Sequence, residues 1–312
     1  MPLLSSPGHA CLVLPQALPR YAADAGLRAL LARGELVAPA RPASQLVRVL
    51  ESFRLDGAVA AQAALRLWGE TGERPAGWVG AADPVWLQAG LDRLYLHAPP
   101  PGDVDADEFA GMLADLESAL LDERHQRLLA HGERGYLLSA DALPTADAPP
   151  AALDGERPDA YLPAGRGAVA LQSLASEIQM SLHQHPANAE RERAGRRPVN
   201  ALWFWGGGEA PAPASRALPT LHADDPLLVG YWLAAGRAVA PDPARLADCL
   251  DGGDLVARAA DLDEFAGLWR AGRLRRATLL FADGYRVCLR RGLRALLRRR
   301  PAELGRLAGD AG

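Results

Sequence analysis

Residues 199–205 constrain the fold most, because they form an apolar, aromatic-rich run of strand length that ends in three glycines, Gly206, Gly207 and Gly208. Such a run is typical of a buried central strand. The glycines predict a loop after the strand, where the backbone could approach a ligand at the carboxyl edge of a sheet. This block therefore predicts both a core strand and a candidate site.

Helical patterns occur on both sides of this block. Apolar residues recur at helical spacing in residues 109–120 and 171–182, and Asp225 with Pro226 predicts a helix start. Near the end of the chain, two short apolar segments flank the turn Asp283-Gly284, which predicts a hairpin. Strands that alternate with helices predict an α/β fold, with a mixed or mostly parallel sheet flanked by helices and a C-terminal hairpin.

Residues 144–166 hold five prolines among alanines and aspartates, with few large apolar residues. This composition predicts a linker. It would join an N-terminal α/β lobe, residues 1–143, to a C-terminal α/β lobe, residues 167–312, that carries the glycine block.

The N-terminal residues lack a basic segment, and their apolar stretch is too short for a signal peptide, so we expect a cytoplasmic protein. Cys11, Cys249 and Cys288 are far apart and form no CxxC pair. They indicate neither a disulfide framework nor a thiolate metal site, and we interpret them as small apolar core residues.

His183 and His185 have the spacing of a metal-ligand pair on a strand. The preceding periodicity is helical, however, and residues two apart on a helix point about 200° away from each other. Three interpretations stay open: structural histidines, which we favour, contacts to a ligand, or metal ligands.

Asn188, Arg191 and Asn200 form a second candidate set. An arginine fork between two amides could bind a phosphate or a carboxylate. The alternative is structural: Asn188 caps a short helix, Arg191 is solvated and Asn200 lies at the end of a strand.

Trp203 and Trp205 lie on one side of the predicted strand, where a place in the core is more common than a stacking surface. The glycines after them are not followed by the Lys-Ser/Thr pair of a phosphate-binding loop.

The central block resembles the signature of the bacterial RpfE-type ("regulation of pathogenicity factors") family, whose activity is unassigned. The similarity rests on the segments EIQM, LHQHPAN and PVNALWFWGGG within residues 177–208. More distantly, the same block is similar to a motif of the archaeal-type, cofactor-independent phosphoglycerate mutases. That resemblance implies a degenerate scaffold of the alkaline-phosphatase and phosphoglycerate-mutase kind.

This sequence differs from the mutases in two ways that bear on its predicted function. The mutase motif has arginine where this chain has Trp205. The mutases also need two divalent metals held by aspartates and histidines from both ends of the chain, and here only His222 follows Gly208. The resemblance therefore implies the scaffold without turnover, with no metal and no cofactor.

We accordingly expect a non-catalytic regulatory or ligand-sensing protein that binds a small anionic or aromatic ligand or a protein partner. An active mutase-like phosphotransferase is the first alternative. The second is a binder of nucleic acid or of an acidic membrane surface through a basic amphipathic helix in residues 289–300. Its arginines would be Arg290, Arg291, Arg294, Arg298, Arg299 and Arg300.

Overall fold

The computed structural model describes residues 8–121, 125–165, 167–240, 245–250, 253–259 and 262–292. The chain divides into two compact units. The α/β unit combines both ends of the chain, Met1–Gly57 and Pro213–Gly312, and the inserted unit is Ala58–Ala212.

The elements are numbered in chain order. The strands are β1 (Ala10–Val13), β2 (Glu35–Val37), β3 (Trp78–Ala89), β4 (Leu94–His97), β5 (Gln126–His131), β6 (Arg134–Ser139), β7 (Ala201–Glu209), β8 (Thr220–His222), β9 (Leu255–Arg258), β10 (Arg276–Leu280) and β11 (Arg286–Arg290). The helices are α1 (Leu18–Ala22), α2 (Ala25–Leu31), α3 (Gln45–Ser52), α4 (Gln62–Thr71), α5 (Ala106–Leu120), α6 (Ala168–His183), α7 (Pro186–Arg193), α8 (Pro226–Ala234) and α9 (Asp263–Arg270).

The α/β unit is built on a sheet in the order β2-β11-β10-β1-β9-β8. Strands β10, β1, β9 and β8 run parallel, and the β10–β11 hairpin and β2 extend the sheet with antiparallel pairings. Leu12, Leu255 and Leu279 are fully buried in the sheet, as expected when helices cover parallel strands. The predicted α/β fold and the predicted hairpin are confirmed.

His9, directly before β1, gives this unit a pH-dependent stability. Its Nε2 lies 2.8 Å from Thr278 Oγ1. Burial and the cation of Arg276 lower the pKa of His9 to about 4, from 6.5. As pH falls below 6.5 the unfolded chain therefore takes up a proton before the folded chain does, and stability is lost until about pH 4.

We expect the free energy of unfolding to fall by about 2 kcal/mol through His9 between pH 7 and pH 5. Urea unfolding of the wild type and of His9→Gln at both pH values measures this contribution. Glutamine keeps a polar partner for Thr278 but does not titrate, so the variant should lose less stability on acidification. An equal loss in both proteins would contradict the prediction.

The inserted unit is built on an antiparallel sheet centred on the long strand β3. One edge of β3 pairs with β6 and then with β4, and the other edge pairs with β7. Helices α5 and α6 contribute Phe109, Met112, Leu171 and Ile178 to the core beneath this sheet. The strand predicted at residues 199–205 therefore exists as β7, but it belongs to an antiparallel sheet and continues through the glycines to Glu209.

The segment predicted as a linker lies within the inserted unit. Ala146 bridges the edge of β7: its N–H donates to Phe204 O at 3.0 Å, and its carbonyl accepts from Gly206 N at 2.8 Å. Ala148 and Leu153 are buried. Within residues 144–165, Ala146 thus forms a one-residue bridge at the edge of the sheet. The predicted boundaries at residues 143 and 167 do not coincide with the observed division.

The basic helix predicted from residue 289 begins in a strand instead. Leu289 and Arg290 are the last residues of β11, where they pair with β10. Arg294, Arg298, Arg299 and Arg300 lie outside the described residues. Among the helices of the described ranges, none is long and apolar enough to span a membrane.

Candidate functional site

The junction between α6, α7 and β7 carries the predicted site residues. Helix α6 ends at His183, and His185 caps α7 by accepting a hydrogen bond from Ala187 N to its Nδ1 at 3.2 Å. The Nε2 of His185 lies 3.1 Å from Asp115 Oδ2. The cap is therefore His185 rather than Asn188, because Pro186 begins the helix two residues before Asn188.

Asn188 is a buried bridge between α6 and β7. Its Nδ2 donates to Leu182 O and to Val199 O, each at 2.8 Å, and its Oδ1 accepts from Val199 N at 2.9 Å. These bonds satisfy both donors of the amide. Asn188 therefore fixes the end of one helix to the start of the strand.

Arg191 is also turned into the protein, with a side chain that is 1% exposed. It ion-pairs with Glu108 at 2.7 Å and with Asp103 through Nη2. Its Nε donates to Arg197 O at 2.7 Å. All three guanidinium nitrogens thus bond to the protein, and Arg191 is not the solvated residue of the structural alternative.

Asn200 joins β7 to β3 at the end of β7 opposite the glycines. Its side chain accepts from Leu87 N at 2.7 Å and donates to Leu87 O at 2.9 Å. Seven residues of extended strand separate Asn200 from Gly207, which is about 20 Å at the usual rise. The candidate set Asn188, Arg191 and Asn200 therefore does not converge on the glycines, because Asn200 and the glycines lie at opposite ends of β7.

His183 and Asn200 do share a cavity of about 460 Å³ on the inserted unit. Its other lining residues are Ser176, Gln179, Met180 and Gln184. These four side chains carry no charge, so they offer no cation to an anionic ligand. His183 is exposed there, whereas the half-buried Asn200 uses its amide for the bonds to Leu87.

Trp203 and Trp205 are core residues, 4% and 2% exposed. Trp203 Nε1 donates to Ala148 O at 2.9 Å, and Trp205 Nε1 donates to Asp83 Oδ2 at 2.7 Å. Both indole donors are thus satisfied inside the inserted unit, as buried tryptophans require.

The three glycines fit β7 against neighbouring parts of the inserted unit. A Cβ on Gly207 would lie 2.4 Å from the Trp78 ring, and one on Gly208 would lie 2.7 Å from Ala61 Cβ. Gly206 has a φ of 62°, which favours glycine. Gly207 N donates to Thr145 Oγ1 at 2.9 Å. Close packing of the backbone beside a β-bulge therefore explains why glycine occupies these three positions.

A buried polar network that the sequence analysis missed surrounds Trp205. Arg66 of α4 forms a bidentate pair with Asp83 of β3, with both contacts at 2.8 Å. Its Nε donates to Tyr136 Oη at 2.9 Å, and Tyr136 donates to Glu70 at 2.7 Å. The Arg66 guanidinium lies 5.3 Å from the Trp205 ring. A permanent cation thus sits beside Trp205, supplied by a helix far away in sequence.

The environment of this network shifts the pKa values of Arg66 and Tyr136. Burial alone would lower the pKa of Arg66, but the Asp83 carboxylate outweighs it and raises that pKa above its usual value. Burial also raises the pKa of Tyr136, so its hydroxyl stays protonated and donates to Glu70. The cluster is an internally paired salt bridge with its hydrogen-bond partners in place.

A two-metal site in the α/β unit would need several carboxylates and histidines close together. Open α/β sheets bind ligands at the carboxyl edge of their parallel strands. At this edge Asp224 pairs with Arg258 at 2.9 Å, and Asp283 accepts from Leu18 N at 2.9 Å. Across the described residues, no group of three or more histidine, cysteine or acidic side chains could hold a metal ion. The described residues therefore do not fit such a site.

Comparison with known proteins gives local similarity to mutases. No family model matches the chain. It is 31% identical over 112 residues to the 2,3-bisphosphoglycerate-independent phosphoglycerate mutase of Methanosarcina acetivorans, which is 35% of this chain and 28% of that enzyme. The Methanosarcina mazei enzyme is 30% identical over 136 residues, 42% of this chain and 34% of the enzyme. The chain thus matches about a third of the length of these curated relatives, and the similarity is distant.

Two solved structures align over nearly the whole chain. A protein from Pyrococcus horikoshii covers 98% of this chain and 97% of its own, at 12% identity and a TM-score of 0.47. The cofactor-independent phosphoglycerate mutase from Thermoplasma acidophilum covers 98% of this chain and 100% of its own, at 17% identity and a TM-score of 0.39.

Proposed function

We propose that this chain is a non-catalytic, ligand-sensing regulatory protein of the RpfE type, built on a scaffold related to the cofactor-independent phosphoglycerate mutases. One observation carries the proposal. The residues of the shared motif, Asn188, Arg191 and Asn200, direct their polar groups at the protein itself. The motif serves here to join helices to strands.

The surroundings of Trp205 support the loss of phosphate chemistry at this strand. An indole has one donor and no charge, so it cannot replace the bidentate phosphate contact of an arginine. The nearby cation of Arg66 is already held by Asp83 in a bidentate pair. Neither group is free to bind a phosphorylated three-carbon acid.

The ligand contact that we propose on the inserted unit is the exposed face of α6 around His183. Its cavity, with uncharged amides and the exposed Met180, suits a neutral or aromatic molecule better than a bare phosphate. Sensing would then occur by binding without turnover.

We expect the purified protein to show no interconversion of 3-phosphoglycerate and 2-phosphoglycerate, with or without added Mn²⁺, Zn²⁺, Co²⁺ or Mg²⁺. A coupled assay at micromolar protein measures the rate, with the Methanosarcina acetivorans mutase as the positive control. A parallel purification from cells that lack the gene sets the background. Metal-dependent conversion above that background would establish an active mutase and end the proposal.

A further inference from the structure

The α/β unit holds a second cavity, of about 540 Å³, between α2, α9 and the end of β11. This volume lies within the usual range for small-molecule sites, about 300–1,000 Å³. It is separate from the motif of the inserted unit, since every described residue that lines it belongs to the α/β unit.

The floor of this cavity is apolar. Leu30, Ala266, Trp269 and Leu289 line it, and each is at most 9% exposed. They belong to the core of the α/β unit, so the floor is a fixed surface. A ligand that covers this floor would bury hydrocarbon or an aromatic ring.

The rim of the cavity is cationic. Four exposed arginines, Arg33, Arg270, Arg290 and Arg291, face two aspartates, Asp24 and Asp263. Asp24 Oδ1 is used to cap α2, where it accepts from Leu27 N at 2.8 Å. The rim thus has a net positive charge.

Two arginines of the rim, Arg270 and Arg291, are each fixed to the protein by one hydrogen bond from Nε. Arg270 Nε donates to Ala266 O at 3.1 Å, and Arg291 Nε donates to Leu274 O at 3.0 Å. The Arg291 guanidinium lies 5.2 Å from the Trp269 ring. Between the described residues, no ion pair joins any of the four arginines to an acid, so no described acid competes for their terminal nitrogens.

We propose that this cavity binds an amphipathic carboxylate, an organic acid with an aliphatic or aromatic body. The carboxylate would bind the forks of Arg270 and Arg291, which match its planar geometry. The body would lie on Leu30, Ala266 and Trp269. The inference goes beyond the ligand contact proposed at His183, because it concerns a separate cavity on the α/β unit. Binding is measured apart from turnover, so the two proposals fail independently.

Isothermal titration of the full chain with decanoate, below its micellar concentration, tests the site. We expect saturable binding near one ligand per chain, weakened by added salt because the headgroup contacts are ionic. Decyltrimethylammonium keeps the body and reverses the charge, and acetate keeps the charge without the body. Both should bind at least tenfold more weakly than decanoate.

Two variants locate the site. Arg270→Gln/Arg291→Gln should weaken decanoate binding at least tenfold, whereas Arg273→Gln, an exposed arginine outside the lining, should change it less than twofold. Circular dichroism checks that both variants are folded. Equal binding of decyltrimethylammonium and decanoate, equal effects of the two variants, or no decanoate binding would each overturn the proposal.

Discussion

Replacing Arg66 by methionine is expected to lower the free energy of unfolding by about 3–5 kcal/mol. Both terminal nitrogens of the Arg66 guanidinium, Nη1 and Nη2, pair with Asp83, and the two side chains are only 8% and 11% exposed. Methionine fills much of the same volume but leaves the Asp83 carboxylate buried without its counter-charge. The cost of a stranded buried charge, rather than the value of the pair itself, sets the size of the effect.

Urea unfolding followed by far-UV circular dichroism measures the loss. Arg258→Met is the control, because Arg258 pairs with Asp224 at 2.9 Å with both side chains exposed, 48% and 60%, and such surface pairs contribute about 0–1 kcal/mol. Arg66→Met/Asp83→Asn should recover part of the loss, since asparagine carries no charge and still offers Trp205 an acceptor. Equal losses in Arg66→Met and Arg258→Met would show that the Arg66–Asp83 pair is not buried in solution.

The elements that the sequence predicted well are those whose signals are local. Asp225 caps α8, where it accepts from Leu228 N at 3.0 Å. Helices α5 and α6 follow their apolar spacing, and the hairpin forms around Asp283-Gly284, where Phe281 N donates to Tyr285 O at 3.0 Å. In each case residues within a few positions of one another determine the structure.

The division of the chain was not predictable in this way. Strand β7 has the apolar run of a parallel core strand, yet its partner is β3, more than a hundred residues earlier and antiparallel. The proline-rich residues 144–165 pack by main-chain hydrogen bonds, which leave no trace in apolar periodicity. The α/β unit joins the two ends of the chain, and pairing of β1 with β9 and β10 has no local signal.

For the candidate site, the sequence identified the residues better than their roles. Asn188, Arg191 and Asn200 were singled out, but their partners Val199, Glu108 and Leu87 come from separate elements. Arg66 was overlooked although a signal existed: it is a lone charge within an apolar helical run, and a buried charge requires a partner. Naming Asp83 as that partner required the fold.

Trp205→Arg tests whether this strand position tolerates a cation beside Arg66. The change removes a buried indole and its bond to Asp83, and it places a second guanidinium beside Arg66. We expect a loss of at least about 3–5 kcal/mol from packing alone, with charge repulsion in addition. Trp205→Met, which removes the indole without adding charge, should therefore be more stable than Trp205→Arg in urea unfolding.

The same substitution should be less harmful when Arg66 is absent, because the introduced arginine can then pair with Asp83. We expect the loss of stability in Arg66→Met/Trp205→Arg to be smaller than the sum of the two single losses by about 0.5–3 kcal/mol, the range for residues in contact. Trp205→Met combined with Arg66→Met is the control, since it offers Asp83 no new cation and should gain less. Strict additivity in the arginine-bearing pair would mean that the introduced arginine does not pair with Asp83, and that Trp205 is an ordinary core residue.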